Sequence, residues 1–220
     1  MLKNKINNTC HHKLDSGFHK GNRKRGAMFG LDARVALAIF GALSVITGAA
    51  LYSAMKEAKV IALMTELDNI DKAITQYLLD TGSFPPPDTS NVSITNSGLL
   101  KIEELLESSV RGWKGPYTGL LSGGETYDLD HPTYTRIYAF RKYDAVWSGD
   151  YGTENVCLSG SASCSVYICV DGIHEDMKKA LDFKVDGGEG SDSGNFRYNA
   201  AWACKKGMTY DKSLSPASIP

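Results

Sequence analysis

The chain lacks the common catalytic signatures. GxSxG, HExxH, the phosphate-binding P-loop and a helix-opening GxGxxG are all missing. Of its five histidines, His11, His12 and His19 fall near the start, while His131 and His174 stand alone and read as surface residues. No nucleophile–base pair is suggested by spacing, so an enzyme is unsupported. Proline is scarce, at seven residues in 220, which excludes a collagen-like chain. With 42% hydrophobic and 22% charged residues, a disordered acidic tail and a polytopic membrane protein are excluded as well.

Cysteine is confined to Cys10 and to the last third, at Cys157, Cys164, Cys169 and Cys204. No CxxC pair occurs and the gaps are irregular, which speaks against a closed zinc site. An even set of four beside an export signal reads as two disulfides formed in an oxidising compartment. Four cysteines allow three pairings, and spacing alone selects none. Cys157–Cys164 across a hairpin tip with Cys169–Cys204 across neighbouring strands is preferred.

The formal net charge of −1 conceals an asymmetry. Lys3, Lys5, Lys13, Lys20, Arg23, Lys24 and Arg25 against Asp15 give residues 1–27 a charge of +6, leaving −7 on the rest. An acidic body is a poor counterion for phosphate, so no nucleic-acid partner is expected of the globular part.

Charge is then absent altogether from Val35 to Tyr52, 18 residues. That lies at the lower end of what crosses about 30 Å of hydrocarbon as a helix. The upstream positive charge keeps the N-terminus cytoplasmic and exports the chain beyond Tyr52. A secretory signal peptide fits poorly, because the apolar stretch is too long and has no A-x-A site after it. A plain one-pass anchor is a second reading. A third takes the run as the first half of one long helix.

The third is favoured because neither glycine nor proline occurs from Ala49 to Thr81. Over that stretch Val60, Leu63, Leu67, Ile70, Ile74 and Tyr77 recur every three or four residues, with Met64, Ala73 and Leu78 beside them. Thr81-Gly82 ends the helix, and Phe84-Pro85-Pro86-Pro87 prevents its restart. Met28 to Asp80 spans about 80 Å at 1.5 Å per residue, greasy all round in one half and amphipathic in the other.

The start of this helix, Arg25-Gly26-Ala27 and then Met28-Phe-Gly-Leu-Asp32, resembles the type IV pilins and the pseudopilins of type II secretion systems. Members carry a short basic leader, a small residue before the cut, a hydrophobic residue after it, and an acid at the fifth mature position. A cut between Ala27 and Met28 makes Asp32 that fifth residue. Ala27 and Asp32 stand where the family usually has Gly and Glu. A cut after Gly26 or after Gly30 would place Asp32 sixth or second.

Thr81-Gly-Ser-Phe-Pro-Pro and Gly112-Trp-Lys-Gly-Pro-Tyr117 are similar to stretches of major pseudopilins. The resemblance covers about residues 22–85 and is patchy beyond. It implies residues 1–27 as a cleaved cytoplasmic leader, 28–53 as the transmembrane and filament-core half-helix, and 54–220 as the exported domain. It further implies cleavage by a prepilin peptidase, methylation of the new N-terminus, an inner-membrane assembly platform, and a polymer of this chain with itself and other pilins. Asp32 would pair with the new amine of a neighbouring copy. The competing reading is that Asp32 caps the helix among lipid headgroups. Arg34 lies about 200° around the helix from it and cannot be its intrahelical partner. Gly41, Ala42, Ser44, Gly48, Ala49 and Ala50 would permit close helix packing.

Beyond residue 83 the chain reads as α+β, an antiparallel sheet laid over the amphipathic half-helix. Expected are a short helix over Ser97–Glu107, a turn over Arg111–Tyr117 burying its aromatics on the long helix, and strands over Thr133–Tyr143 and Ser165–Val170. A helix over Ile173–Phe183 and a final strand over Phe196–Cys204 complete it. The loop Asp186–Asn195 concentrates glycines and oxygen donors. Pseudopilins carry calcium on a similar loop, which would give Asp186, Glu189 and Asp192 to the ion; solvated turns are the commoner use of such residues. A membrane-anchored adhesin or binding domain is the alternative function, and an anchored exported enzyme a third.

Overall fold

The computed structural model describes residues 26–88, 98–145, 157 and 163–215. Two compact units emerge, Met1–Ser53 and Ala54–Pro220. Helix α1, Gly26–Thr81, contributes to both.

In the first unit, residues 30–53 of α1 are exposed throughout. A stretch of α1 with mean hydropathy 2.1 and nothing buried is long and apolar enough to cross a membrane. Its hydroxyls are satisfied within the helix, where Ser44 Oγ donates to the Phe40 carbonyl and Thr47 Oγ1 to that of Leu43, both at 2.8 Å.

In the second unit the same helix is amphipathic. Val60, Leu63, Leu67, Ile70, Ala73, Ile74 and Tyr77 are all buried, the stripe that the 3–4 residue period predicts. Met64 and Leu78 pack at its edge. Gly82 ends the helix with φ of 77°, its N–H donating to the Leu78 carbonyl. A left-handed residue there is what glycine supplies without a Cβ penalty.

Six antiparallel strands form one sheet: β1 (Leu121–Ser122), β2 (Asp128–Asp130), β3 (Arg136–Tyr143), β4 (Cys164–Asp171), β5 (Phe196–Tyr198) and β6 (Trp202–Thr209), in the order β1-β2-β3-β4-β6-β5. Helix α2, Glu175–Asp186, falls between β4 and β5 in sequence and packs alongside β5. Residues Cys164–Val170 of β4 are all buried, so both faces of the central strand are covered. The α+β class, the long apolar helix and the antiparallel sheet agree with expectation.

Several expected elements are corrected. Over Ser97–Glu107 there is no α-helix among the described residues; Ser97 itself lies outside them. Leu99 and Leu100 are extended, bridging Phe140 and Pro87, and only Ile102–Leu105 turns, as a 3-10 helix. The Leu100 N–H donates to Ala139 and the Lys101 N–H to Pro86, so neighbouring extended backbone outbids the local helical period. Leu99, Leu100, Ile102 and Leu105 are nonetheless buried.

The strand expected from Thr133 begins at Arg136, because His131 Nδ1 takes the N–H groups of Thr133 and Tyr134 at 2.9 and 3.0 Å and holds a turn there. The last strand is two strands. Asn199 Oδ1 accepts from Ala201 and Trp202, folding Tyr198–Trp202 back on itself. Helix α2 starts at Glu175, capped by His174, and runs on to Asp186, where Gly187 closes it in the left-handed region.

Candidate functional site

Three places carry the candidate residues. The first is the start of α1. The backbone of Ala27 and Met28 is helical, and the leader up to Arg25 lies outside the described residues. Asp32 and Arg34 are exposed, and neither makes a hydrogen bond or ion pair among the described residues. Leu31, Leu37 and Phe40, at 68%, 70% and 71% exposure, show how little of this segment the chain covers by itself. A carboxylate and a guanidinium thus stand at the margin of an apolar helix segment.

The second is the Asp186–Asn195 loop. Asp186 faces inward, its Oδ2 accepting the Phe196 N–H at 2.6 Å and its Oδ1 the Asn195 amide at 3.2 Å. Gly194 is tight against it; a Cβ there would lie 2.5 Å from Asp186 Oδ2. Glu189 is exposed, and Asp192, also exposed, accepts the Ser191 hydroxyl at 3.3 Å.

Sequence reasoning passed over the neighbouring Asp182, which is 4% exposed. Oδ2 receives the Gly190 N–H at 3.4 Å, and Oδ1 has no hydrogen-bond partner among the described residues. Burial lifts its carboxyl above the usual range, and the charges of Asp186 and Glu189 add to that. These are hard oxygen donors of the kind calcium takes. Among the described residues, however, no three His, Cys, Asp or Glu side chains gather at metal-holding spacing.

The third is the disulfide pair. Cys157 bonds Cys164, and Cys169 bonds Cys204 across β4 and β6. The preferred pairing is the one formed.

Two further polar groups escaped sequence reasoning. His131, expected at the surface, is buried; its Nε2 lies 2.8 Å from Glu66 Oε2 on α1. Because Nδ1 accepts two backbone N–H groups, the neutral ring carries its proton on Nε2 and donates it to Glu66. The only sequence signal is a histidine placed before a proline between strands, which is weak. Lys178, buried on α2, donates to the carbonyls of Asn199 and Ala200 at 2.6 and 2.7 Å. Burial pulls its pKa below the usual lysine value.

In the expected turn over Arg111–Tyr117 it is Tyr117 that sits on α1, while Trp113 packs edge-on against Tyr117 and bonds to the 3-10 helix. Tyr117 packs edge-on against Tyr77 at 6.0 Å, and its hydroxyl lies 3.0 Å from Asp80 Oδ2. Lys114 Nζ reaches Asp80 Oδ1 at 2.8 Å. The Trp113 indole donates to the Glu104 carbonyl at 2.9 Å. Beside this turn a groove of about 530 Å³ opens between α1 and residues 117–120, with Glu66 and Asn69 on its wall.

No protein-family model, no curated protein and no solved structure matches this chain.

Proposed function

We propose that the chain is a structural subunit, a pilin or pseudopilin, that a prepilin peptidase processes and that polymerises through α1 into a type IV pilus or a secretion pseudopilus. The observation that supports this most is the contrast within α1. Residues from Val60 to Tyr77 form a buried stripe in the second unit, whereas residues 30–53 are uncovered and apolar. A helix built that way has one end committed to its own domain and the other free for lipid and then for copies of itself. Asp32, exposed and unpaired among the described residues, fits the role of partner to a neighbouring N-terminal amine. On this reading residues 1–27 are a cytoplasmic leader. The subunit waits in the inner membrane with its domain in the periplasm, held by an assembly platform, and joins other pilins in the filament.

Calcium on the Asp186–Asn195 loop belongs to the same proposal. Asp182, Asp186, Glu189 and Asp192 would supply carboxylates, and the ion would hold the loop closed when bound; the unpartnered Asp182 oxygen supports this.

Mass spectrometry of the protein from membranes and from sheared filaments tests the reading. The expected N-terminus is Met28, methylated, with the leader lost and the apolar helix retained. Asp32→Ala should abolish filaments while leaving insertion and folding intact. An uncut chain in every fraction defeats the proposal.

The groove beside Glu66 and Asn69 favours one alternative, a membrane-anchored binding domain that never assembles. Failure of cleavage together with stable membrane residence would select it.

A further inference from the structure

Arg34 and Tyr52 are both exposed and stand 18 positions apart on α1, about 27 Å along a helix axis. That separation falls within the hydrocarbon thickness of a bilayer. Between them no residue is charged, and Lys56 is the next charged residue in sequence. The polar side chains inside the interval do not look for partners in the surroundings. Ser44 and Thr47 bond back to the carbonyls of Phe40 and Leu43.

Each end carries the residue type suited to an interface. An arginine buries its aliphatic stem and delivers its guanidinium to phosphate. A tyrosine places an apolar ring with a wet hydroxyl at headgroup level. Helical Cα–Cβ bonds tilt toward the N-terminus. Arg34 therefore leans out of the apolar interval, toward the headgroups, at the end where it stands.

We propose that Arg34, on lipid phosphate, and Tyr52, its ring at the opposite hydrocarbon–headgroup boundary, set the depth of α1 in a phospholipid bilayer, and that this register keeps Asp32 in the hydrated headgroup layer. Asp32 lies two positions, about 3 Å, outward of Arg34. Its carboxylate is then solvated while the helix resides in the membrane and loses water only when the helix leaves. The inference rests on the membrane stage of the proposed function, not on assembly into filaments.

The test uses the full chain with Cys10→Ser, reconstituted in vesicles of phosphatidylcholine and phosphatidylglycerol. Single nitroxide labels are placed through Ala33→Cys, Phe40→Cys and Ser53→Cys. The labels at 33 and 53 should be relaxed by a water-soluble nickel chelate, and the label at 40 by oxygen. Arg34→Leu should draw the label at 33 inward by about one helical turn, whereas Arg34→Lys should hold it in place. A label at 33 as shielded as that at 40, or one unmoved by Arg34→Leu, overturns the proposal. If either variant fails to insert, the profile of the unsubstituted arginine decides alone. Retention of the leader or absence of filaments overturns the assembly reading and leaves this depth profile untouched.

Discussion

Asp71 Oδ1 on α1 accepts the N–H of Met208 on β6 at 2.9 Å, directly above Gly207. Helix and sheet meet there without room for a side chain. A Cβ on residue 207 would lie 2.2 Å from Asp71 Oδ1 and 2.7 Å from Ile168 Cδ1. Gly207→Ala is expected to cost about 1–3 kcal/mol, the range for overpacking a filled site. Adding Asp71→Ala should recover part of that loss, because one of the two clashes disappears. Urea midpoints of the two single variants and the double variant measure the coupling.

Asp182 is held in its fold at a cost. Its folded-state pKa is raised by burial, so between the unfolded value near 3.9 and the raised folded value the native state binds more protons than the unfolded chain. Stability therefore falls as pH rises through that window and stays reduced above it. Asp182→Asn should raise the thermal midpoint at pH 7 and flatten the acid side of the profile. Calorimetry from pH 4 to 8 gives the answer. If calcium occupies the loop, millimolar calcium will stabilise the unsubstituted protein and lose that effect in Asp182→Asn.

The two disulfides should differ in worth. Cys169–Cys204 closes 35 residues of sequence and Cys157–Cys164 only seven. Chain-entropy arguments give about 4 kcal/mol for the first and about 2.5 kcal/mol for the second. Replacing each pair by alanine and comparing denaturant unfolding checks the order. Equal losses would point to contributions other than loop closure.

His131 joins the β2–β3 turn to α1. His131→Ala strands two backbone N–H groups and the Glu66 carboxylate, at about 1–3 kcal/mol for buried groups left unmade. His131→Asn keeps an acceptor for the turn but is too short to reach Glu66, so an intermediate loss is expected. Glu66→Gln should cost less than His131→Ala, since the turn survives. Thermal midpoints of the three variants rank them.

The legible part of the chain was the part that repeats. The stripe from Val60 to Tyr77 keeps a helical period without a break, and its burial is complete. The stop at Gly82 uses a residue with few other reasons to be there. Cys169 and Cys204 lie across adjacent strands, a placement already suggested by apolar runs on either side of α2.

The illegible part depended on partners distant in sequence. Leu99 and Leu100 sit in a good amphipathic helical pattern, yet Phe140 and Ala139 capture their backbone. Asn199 looked like an ordinary strand residue until its side chain closed a turn on Trp202. His131 is buried by a glutamate 65 residues away. Lys178 finds its acceptors 21 and 22 residues on. For Asp182 the signal is weaker still, since a single acid on a helix carries no trace of the loop that covers it.

Both rims of the sheet are short strands. β1 has two residues and β5 three, with the three-residue β2 beside β1, whereas β3, β4 and β6 have eight each. Long open rims are where one sheet recruits another and aggregates grow. Among the described residues the outermost strands offer only two and three residues of ladder to another molecule. Short rims of this kind let neighbouring domains come close without one sheet extending into the next.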